Sequence, residues 1–285
     1  METFIEILKA IFIGIVQGIT EWLPVSSTGH MIIVNDFFPL DVSAEFWDFF
    51  EVFIQLGSIL AVLILFFDKL NPFSKSKSQE MKKKTWTLWL KVVVAMIPTA
   101  IIGIPIDMLV DHFLGDHPMG MILLICSALI IYGILFILIE RFGKNKLKKY
   151  DDVYEIDYLT ALKIGCFQSL SVVPGTSRSG STILGASVVG VSREASAEFS
   201  FFLAIPVMLG ASLLKGAKAI FIDKLSMSST EIIVLITGTL VAFFVSLVVI
   251  KFLMNFVKKH SFEAFGWYRI ALGAILTIYA LVKYL

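Results

Sequence analysis

Pro174-Gly-Thr-Ser-Arg-Ser-Gly-Ser-Thr182 interrupts an apolar stretch that runs over 158–191. A second interruption, Gln17-Gly-Ile-Thr-Glu21 followed by Pro24-Val-Ser-Ser-Thr-Gly-His30, splits the apolar stretch 4–38. Each flanking half has about 15 residues, fewer than the roughly 20 that cross a bilayer as a helix. Irregular backbone at membrane depth survives only where protein or a wet cavity surrounds it. Both stretches therefore read as re-entrant hairpins, helix in and helix out, with the polar residues at the tip.

The rest of the chain agrees with a membrane setting. Of 285 residues, 57% are hydrophobic and 16% charged, and mean hydropathy is +0.86. A soluble domain has about a quarter of its residues charged, so this chain cannot coat a water-facing surface, and a soluble enzyme is excluded. The net charge of +1 excludes a nucleic-acid partner. Cys126 and Cys166 sit among apolar residues and read as packing thiols. Six uninterrupted apolar stretches, 51–67, 86–110, 119–139, 200–222, 231–254 and 266–284, predict transmembrane helices. The N-terminus carries Glu2 and Glu6 before Lys9 and does not read as a secretory signal.

Charge sets the orientation. Lys69, Lys75, Lys77 and Lys82–Lys84 mark one cytoplasmic loop, and Arg141, Lys144, Lys146, Lys148 and Lys149 a second. Lys258, Lys259 and Arg269 flank the last link and read as cytoplasmic too. The acidic stretch Asp36, Asp41, Glu45, Asp48, Glu51 and the acidic loop 107–117 fall outside. These signs alternate correctly only if both broken stretches return to the side they entered from. Both termini then lie outside.

The chain also repeats. Ser43-Ala-Glu-Phe46 matches Ser196-Ala-Glu-Phe199, with Phe49, Leu56, Gly57 and Leu60 matching Phe202, Leu209, Gly210 and Leu213 in register. Upstream, Gly14-x-x-Gln17 before Pro24 parallels Gly165-x-x-Gln168 before Pro174. The expected fold is an all-α polytopic membrane protein of two repeats, 1–150 and 151–285, each a re-entrant hairpin plus three transmembrane helices. Three is odd, so the second copy is inverted. Inverted repeats with broken helices place a binding site near the midplane.

The interruptions hold the chemistry. Glu21 is a carboxylate deep in a membrane segment, a costly placement unless paired or hydrated, and Gln17 lies one turn earlier on the same helix face. Ser26 and Thr28 suit helix capping. Ser27 and His30 suit a nucleophile and its acid/base partner. In the second interruption Gly175 lets the backbone approach a ligand. Thr176, Ser177, Ser179 and Thr182 add hydroxyls, and Arg178 adds a planar cationic fork that fits phosphate oxygens. A helix beginning near Ile183 is expected to aim its N-terminus at the same spot. The result is an anion cradle. Its spacing imitates a nucleotide-binding loop, but Ser181 stands where the lysine is needed. His112 and His117 show no metal-site spacing.

At these residues the chain resembles the bacterial undecaprenyl-diphosphatases, also called bacitracin-resistance proteins. The resemblance covers both interruptions and Phe53-Ile-Gln-Leu-Gly-Ser58. It implies a bacterial plasma-membrane phosphatase that removes the terminal phosphate of undecaprenyl pyrophosphate and recycles a cell-wall lipid carrier. It implies that Glu21, Ser27, His30 and Arg178 carry the chemistry, with Ser26, Thr28, Gly175, Thr176, Ser177, Ser179 and Thr182 around the phosphates and Gln17 and Gln168 in support. It also implies a divalent cation, Mg or Ca, for which the sequence shows no complete ligand set and offers Glu21 as a candidate, and a site open to the outer face. The family has Glu or Gln at the place of Gln17, and Gln here weakens any scheme that needs two carboxylates. Partners are the bilayer and an isoprenyl pyrophosphate lipid, and a homodimer is left open. Ser27, His30 or a water remain alternative attacking groups. A transporter or flippase of a phosphate-bearing lipid is the rival reading, alone or as a second role; it needs the cradle but has little use for Glu21, Ser27 and His30 together.

Overall fold

The computed structural model describes residues 2–143 and 148–284. Lys144 and Lys146 of the expected second cytoplasmic loop lie outside the described residues. Among the described residues the regular structure is helical, with one isolated bridge between Tyr150 and Val191. The first half holds α1 (Glu2–Thr20), α2 (Ser27–Phe37), α3 (Ala44–Leu65), the short α4 (Phe67–Leu70), α5 (Gln79–Pro98), α6 (Ile104–Leu114) and α7 (Pro118–Gly143). The second holds α8 (Tyr158–Ser169), α9 (Arg178–Val188), α10 (Arg193–Ala217), α11 (Ser229–Lys259) and α12 (Glu263–Tyr284). A π turn, Thr99–Gly103, joins α5 to α6.

Seven helices among the described residues are long and apolar enough to cross a membrane. Six answer to the expected spans, and the seventh is α1. The sequence pattern places the first interruption at Gln17, yet α1 continues to Thr20. Gln17 does not break the helix because its side chain bonds forward to Glu21 along the helix face. At 19 residues α1 is about 28 Å long, close to the hydrocarbon thickness. The second pair is shorter: α8 has 12 residues and α9 has 11.

Helix ends follow polar caps, not the edges of apolarity. Ser43 accepts from the Phe46 amide, so α3 starts at Ala44 rather than near residue 51. Ser78 caps α5 at Gln79, which puts Lys82–Lys84 on a helix. Asp157 caps α8 through the Thr160 amide. The Tyr150 hydroxyl and that amide hold the Asp157 carboxyl well below its ordinary range. A hydropathy pattern sees only the bilayer-facing length; the helix runs on until a side chain satisfies its free amides.

The halves pack across each other. α1 lies on α11 and α8 lies on α5; α3 crosses α10 and α7 crosses α12. Two glycines permit the first two contacts. A Cβ on Gly14 would lie 2.7 Å from the Gly238 carbonyl, and one on Gly165 would lie 2.1 Å from the Ala95 carbonyl. Arg269, read from sequence as a membrane-flanking cation, is instead fully buried in α12. Cys126 is buried as expected, but Cys166 is exposed and is no packing thiol.

Candidate active site

The two breaks face each other. Between α1 and α2 the chain turns over 21–26, and Ser26 caps α2 with φ 72° while its side chain accepts from the Gly29 amide. Between α8 and α9 it turns over 173–177, and Ser177 caps α9 with φ 71° while its side chain accepts from the Gly180 amide. Residues other than glycine pay strain in this left-handed region, and such strain gathers at functional sites. α9 starts at Arg178, not near Ile183 as expected. The whole Ser-Gly-Ser-Thr segment is therefore helical, and its first amides open toward the break.

Arg178 bridges the breaks. Its Nη2 donates to Glu21 Oε1 at 3.0 Å, its Nη1 donates to the Ser200 carbonyl at 2.9 Å, and its guanidinium lies 5.5 Å from the Trp22 ring. Its Nε is buried and has no partner among the described residues. Gln17 Nε2 donates to Glu21 Oε2 at 3.0 Å, and the Ser27 hydroxyl donates to the same oxygen at 3.4 Å. One carboxylate thus collects a guanidinium, an amide and a hydroxyl. Breaking a buried ion pair of this kind by removing one member costs about 3–5 kcal/mol.

A cavity of about 230 Å³ opens beside this cluster, lined by Glu21, Ser27, Thr28, Gly175, Ser177 and Arg178, with Gln55 and Thr99 from other helices. The structure brings these predicted residues together and turns others away. Ser26 and Thr176 are buried, and the Thr176 hydroxyl closes its own turn by donating to the Leu170 and Val173 carbonyls. Ser179 donates to the Leu23 carbonyl at 3.1 Å and so ties break to break. Thr182 donates to Gln168 Oε1 at 3.3 Å, and Gln168 Nε2 donates to Thr99 at 3.2 Å.

His30 sits elsewhere. Its Nδ1 lies 2.7 Å from the Ser26 carbonyl and its Nε2 lies 2.7 Å from the Tyr268 hydroxyl. It lines a separate apolar cavity of about 320 Å³ with Leu23, Phe252, Phe256 and Tyr268. Among the described residues no hydrogen bond links it to Ser27 or Glu21. It holds the start of α2 rather than facing the Glu21–Arg178 cluster.

Sequence reading missed three contributors. The Ser200 carbonyl has no signature, since every residue carries one. Gln55 lies in the Phe53–Ser58 stretch, where a single amide among apolar residues does not announce that it lines the cavity. Arg269 donates to the Pro24, Gly175 and Thr176 carbonyls at 3.1, 2.8 and 2.9 Å. An arginine inside a spanning segment is itself a signal of function, and reading it as a flank hid that signal.

Comparison with known proteins bears on this geometry. Residues 10–275 match the family model described as bacitracin resistance protein BacA. The chain belongs to the BacA family. An undecaprenyl-diphosphatase of Enterococcus faecalis is 53% identical over 278 residues, covering 97% of this chain and 98% of that protein. One of Acetivibrio thermocellus is 50% identical over 277 residues, covering 97% and 98%. Undecaprenyl-diphosphatase 1 of Clostridioides difficile is 53% identical over 281 residues, covering 98% of each. Both breaks of this BacA-family chain fall inside the matched region.

The implied divalent cation can be tested against the donors present. Calcium takes six or more oxygens, and magnesium needs an octahedral set. The cavity offers one carboxylate, Glu21, whose oxygens already accept from Arg178, Gln17 and Ser27. No cluster of three His, Cys, Asp or Glu occurs among the described residues. This donor set does not fit a resident ion.

Proposed function

We propose that this membrane protein is an undecaprenyl-diphosphatase, hydrolysing undecaprenyl pyrophosphate to undecaprenyl phosphate and inorganic phosphate. The observation that carries the reading is the meeting of Glu21, Ser27 and Arg178 at one cavity. A phosphate-transfer site needs positive groups on the phosphate oxygens, an activated nucleophile and a base. Arg178 supplies the first with its guanidinium. Ser27 supplies the second, already donating toward Glu21, which supplies the third.

The chemistry follows. The terminal phosphate takes Arg178 Nη2 from Glu21 Oε1, which frees that carboxylate. Ser27 Oγ attacks the terminal phosphorus, its proton passes to Glu21, and the bond from phosphorus to the bridging oxygen breaks. Glu21 hands the proton to the departing undecaprenyl phosphate. Water then attacks the phosphoserine and gives a proton to Glu21. Inorganic phosphate leaves, and Glu21 returns the proton to Ser27 Oγ. Arg178 and the first amides of α9 stabilise the charge that develops on the transferred group.

The same reading includes two inverted repeats with re-entrant breaks. It is supported by the matching contacts of α1 with α11 and of α8 with α5, and by the matching caps at Ser26 and Ser177. It also includes a site open to the outer face. One end of the α3–α10 crossing is filled by the fully buried Phe199, Phe201 and Phe202 and by Lys69, 2.7 Å from both Glu198 oxygens. The lysine-rich segment follows at that end. The other end holds a cavity of about 300 Å³ lined by Glu45, Asp48, Lys215, Lys218 and Asp223, beyond Gln55 and Ala211 of the site cavity. These features support a route from site to water toward the acidic stretches.

The test is phosphate release from purified protein in detergent given undecaprenyl pyrophosphate, with and without chelator. Stoichiometric phosphate and undecaprenyl phosphate are expected. Tight binding with no phosphate release would replace the enzyme with a carrier. Loss on chelation that added Mg or Ca restores would establish the cation that the resemblance implies.

A further inference from the structure

We propose that Arg269 is a positioning residue that sets the shape and charge of the phosphate cradle from behind, a role that rests on the phosphatase reading above. Arg269 is fully buried. Among the described residues its hydrogen bonds go to carbonyls alone, and those come from both breaks: Pro24 from the first, Gly175 and Thr176 from the second. Among the described residues no carboxylate lies within ion-pair distance of it, and its Nε has no partner. The Tyr132 ring lies 5.4 Å below the guanidinium.

Two consequences follow. The first is geometric. Among the described residues all peptide bonds are trans, so the N–H of each peptide points opposite to its carbonyl. Arg269 draws the Thr176 carbonyl toward itself and thereby turns the Ser177 N–H the other way, into the cavity that Ser177 lines. That amide joins the first amides of α9 facing the phosphates. Gly180 leaves the guanidinium its room: a Cβ there would stand 3.0 Å from Arg269 Nη1.

The second is electrostatic. Burying a cation without a counter-charge is costly. Carbonyl dipoles offset part of that cost, and an anion in the adjoining cavity offsets more. Arg178 pairs with Glu21 in the free protein, so Arg269 is the cation left uncompensated until a pyrophosphate binds.

The experiment compares wild type with Arg269→Lys and Arg269→Gln in detergent. It measures thermal unfolding, binding of a methylene-bridged isoprenyl pyrophosphate analogue, and phosphate release. The expected result is folded variants whose analogue affinity falls about tenfold or more and whose kcat falls about a hundredfold, with Lys milder than Gln because it keeps the charge and loses the fork. The rise in Tm on adding analogue should shrink in step with affinity. A purely structural residue would lower the starting Tm and leave that rise unchanged. A folded variant that binds and turns over within about threefold of wild type overturns the proposal. If neither variant folds, hydrogen exchange on wild type decides: saturating analogue should slow exchange at Ser177, and unchanged exchange there overturns the proposal as well. Absence of phosphate release by wild type would instead defeat the phosphatase reading, while the binding and exchange measurements would still test Arg269.

Discussion

The two breaks share a backbone and divide the charge. Ser26 and Ser177 cap their helices with nearly the same φ, 72° and 71°, and each accepts from the amide of a glycine three residues on. Gln17 and Gln168 sit nine residues before them and are both buried. At the same spacing, however, Ser27 of the first break corresponds to Arg178 of the second, Glu21 to Val172, and His30 to Ser181. One break carries the serine hydroxyl and the carboxylate, and the other carries the cation. The two bends match in cap geometry and differ in side chains. Neither break is a site alone; the Arg178–Glu21 contact makes one from two.

The strongest way to break that division is at the cation. Arg178→Lys keeps the charge but cannot reach Glu21, the Ser200 carbonyl and a phosphate oxygen with one planar fork. Turnover should fall by about a thousandfold, in the range seen when an electrostatic donor to the transition state is lost. The fold should survive, since Lys can still meet Glu21. Phosphate release at matched protein levels checks it, and near-normal release would remove Arg178 from the phosphate.

Next comes the serine of the first break. Ser27→Ala should lower turnover by about a hundredfold or more and leave analogue affinity within about threefold, because Arg178 and the amides of α9 still hold the phosphates. Rapid quenching of wild type should trap phosphoserine at Ser27. A variant that keeps a tenth of wild-type turnover would reduce Ser27 to a positioning hydroxyl and hand the attack to water. His30 is the weaker rival, since both its ring nitrogens are engaged by the Ser26 carbonyl and Tyr268.

These residues differ in how far sequence could reach them. Glu21 and Gln17 were legible because one helical turn separates them. Arg178 was legible because glycines and hydroxyls surround it. The helical class and six of the spanning helices followed from long apolar runs. What escaped was set by partners distant in the chain. Nothing near His30 announces Tyr268, and nothing near Arg178 announces the Ser200 carbonyl. Helix starts at Ala44 and Gln79 escaped because Ser43 and Ser78 set them, beyond the apolar limits. Arg269 was visible as a residue, but its three carbonyl acceptors come from breaks far upstream.

Packing offers a gentler test of the same likeness. Gly14→Ala and Gly165→Ala disturb corresponding crossings, α1 on α11 and α8 on α5. The added methyl would meet a carbonyl at 2.7 Å in the first and 2.1 Å in the second. Overpacking costs about 1–3 kcal/mol, and the Gly165 change should sit at the upper end or prevent folding. Thermal unfolding in detergent should rank Gly165→Ala well below Gly14→Ala. The reverse order would show that α1 on α11 is the tighter of the two crossings.

The smallest expected effect is at Gln17. Its amide donates to Glu21 Oε2 at 3.0 Å, so it steadies the carboxylate without touching the Ser27 hydroxyl or the Arg178 fork. Gln17→Glu removes that donor and sets a second carboxyl against the first. Two carboxylates this close cannot both stay charged unless a proton or a cation comes between them. Turnover without added cation should therefore fall by no more than about tenfold, less than for Ser27→Ala, because Ser27, Glu21 and Arg178 are all still present. Added Mg or Ca should restore it, since the pair now offers hard oxygens that one carboxylate shared with Arg178 does not. Gln168→Glu is the control: Gln168 bonds to Thr99 and Thr182 and, among the described residues, to no carboxylate, so its variant should gain no cation response. The measurement is phosphate release against cation concentration for both variants and wild type. A matching response in Gln168→Glu would mean that the cation acts on the substrate alone, and that the first break owes nothing to the spacing of Gln17 and Glu21.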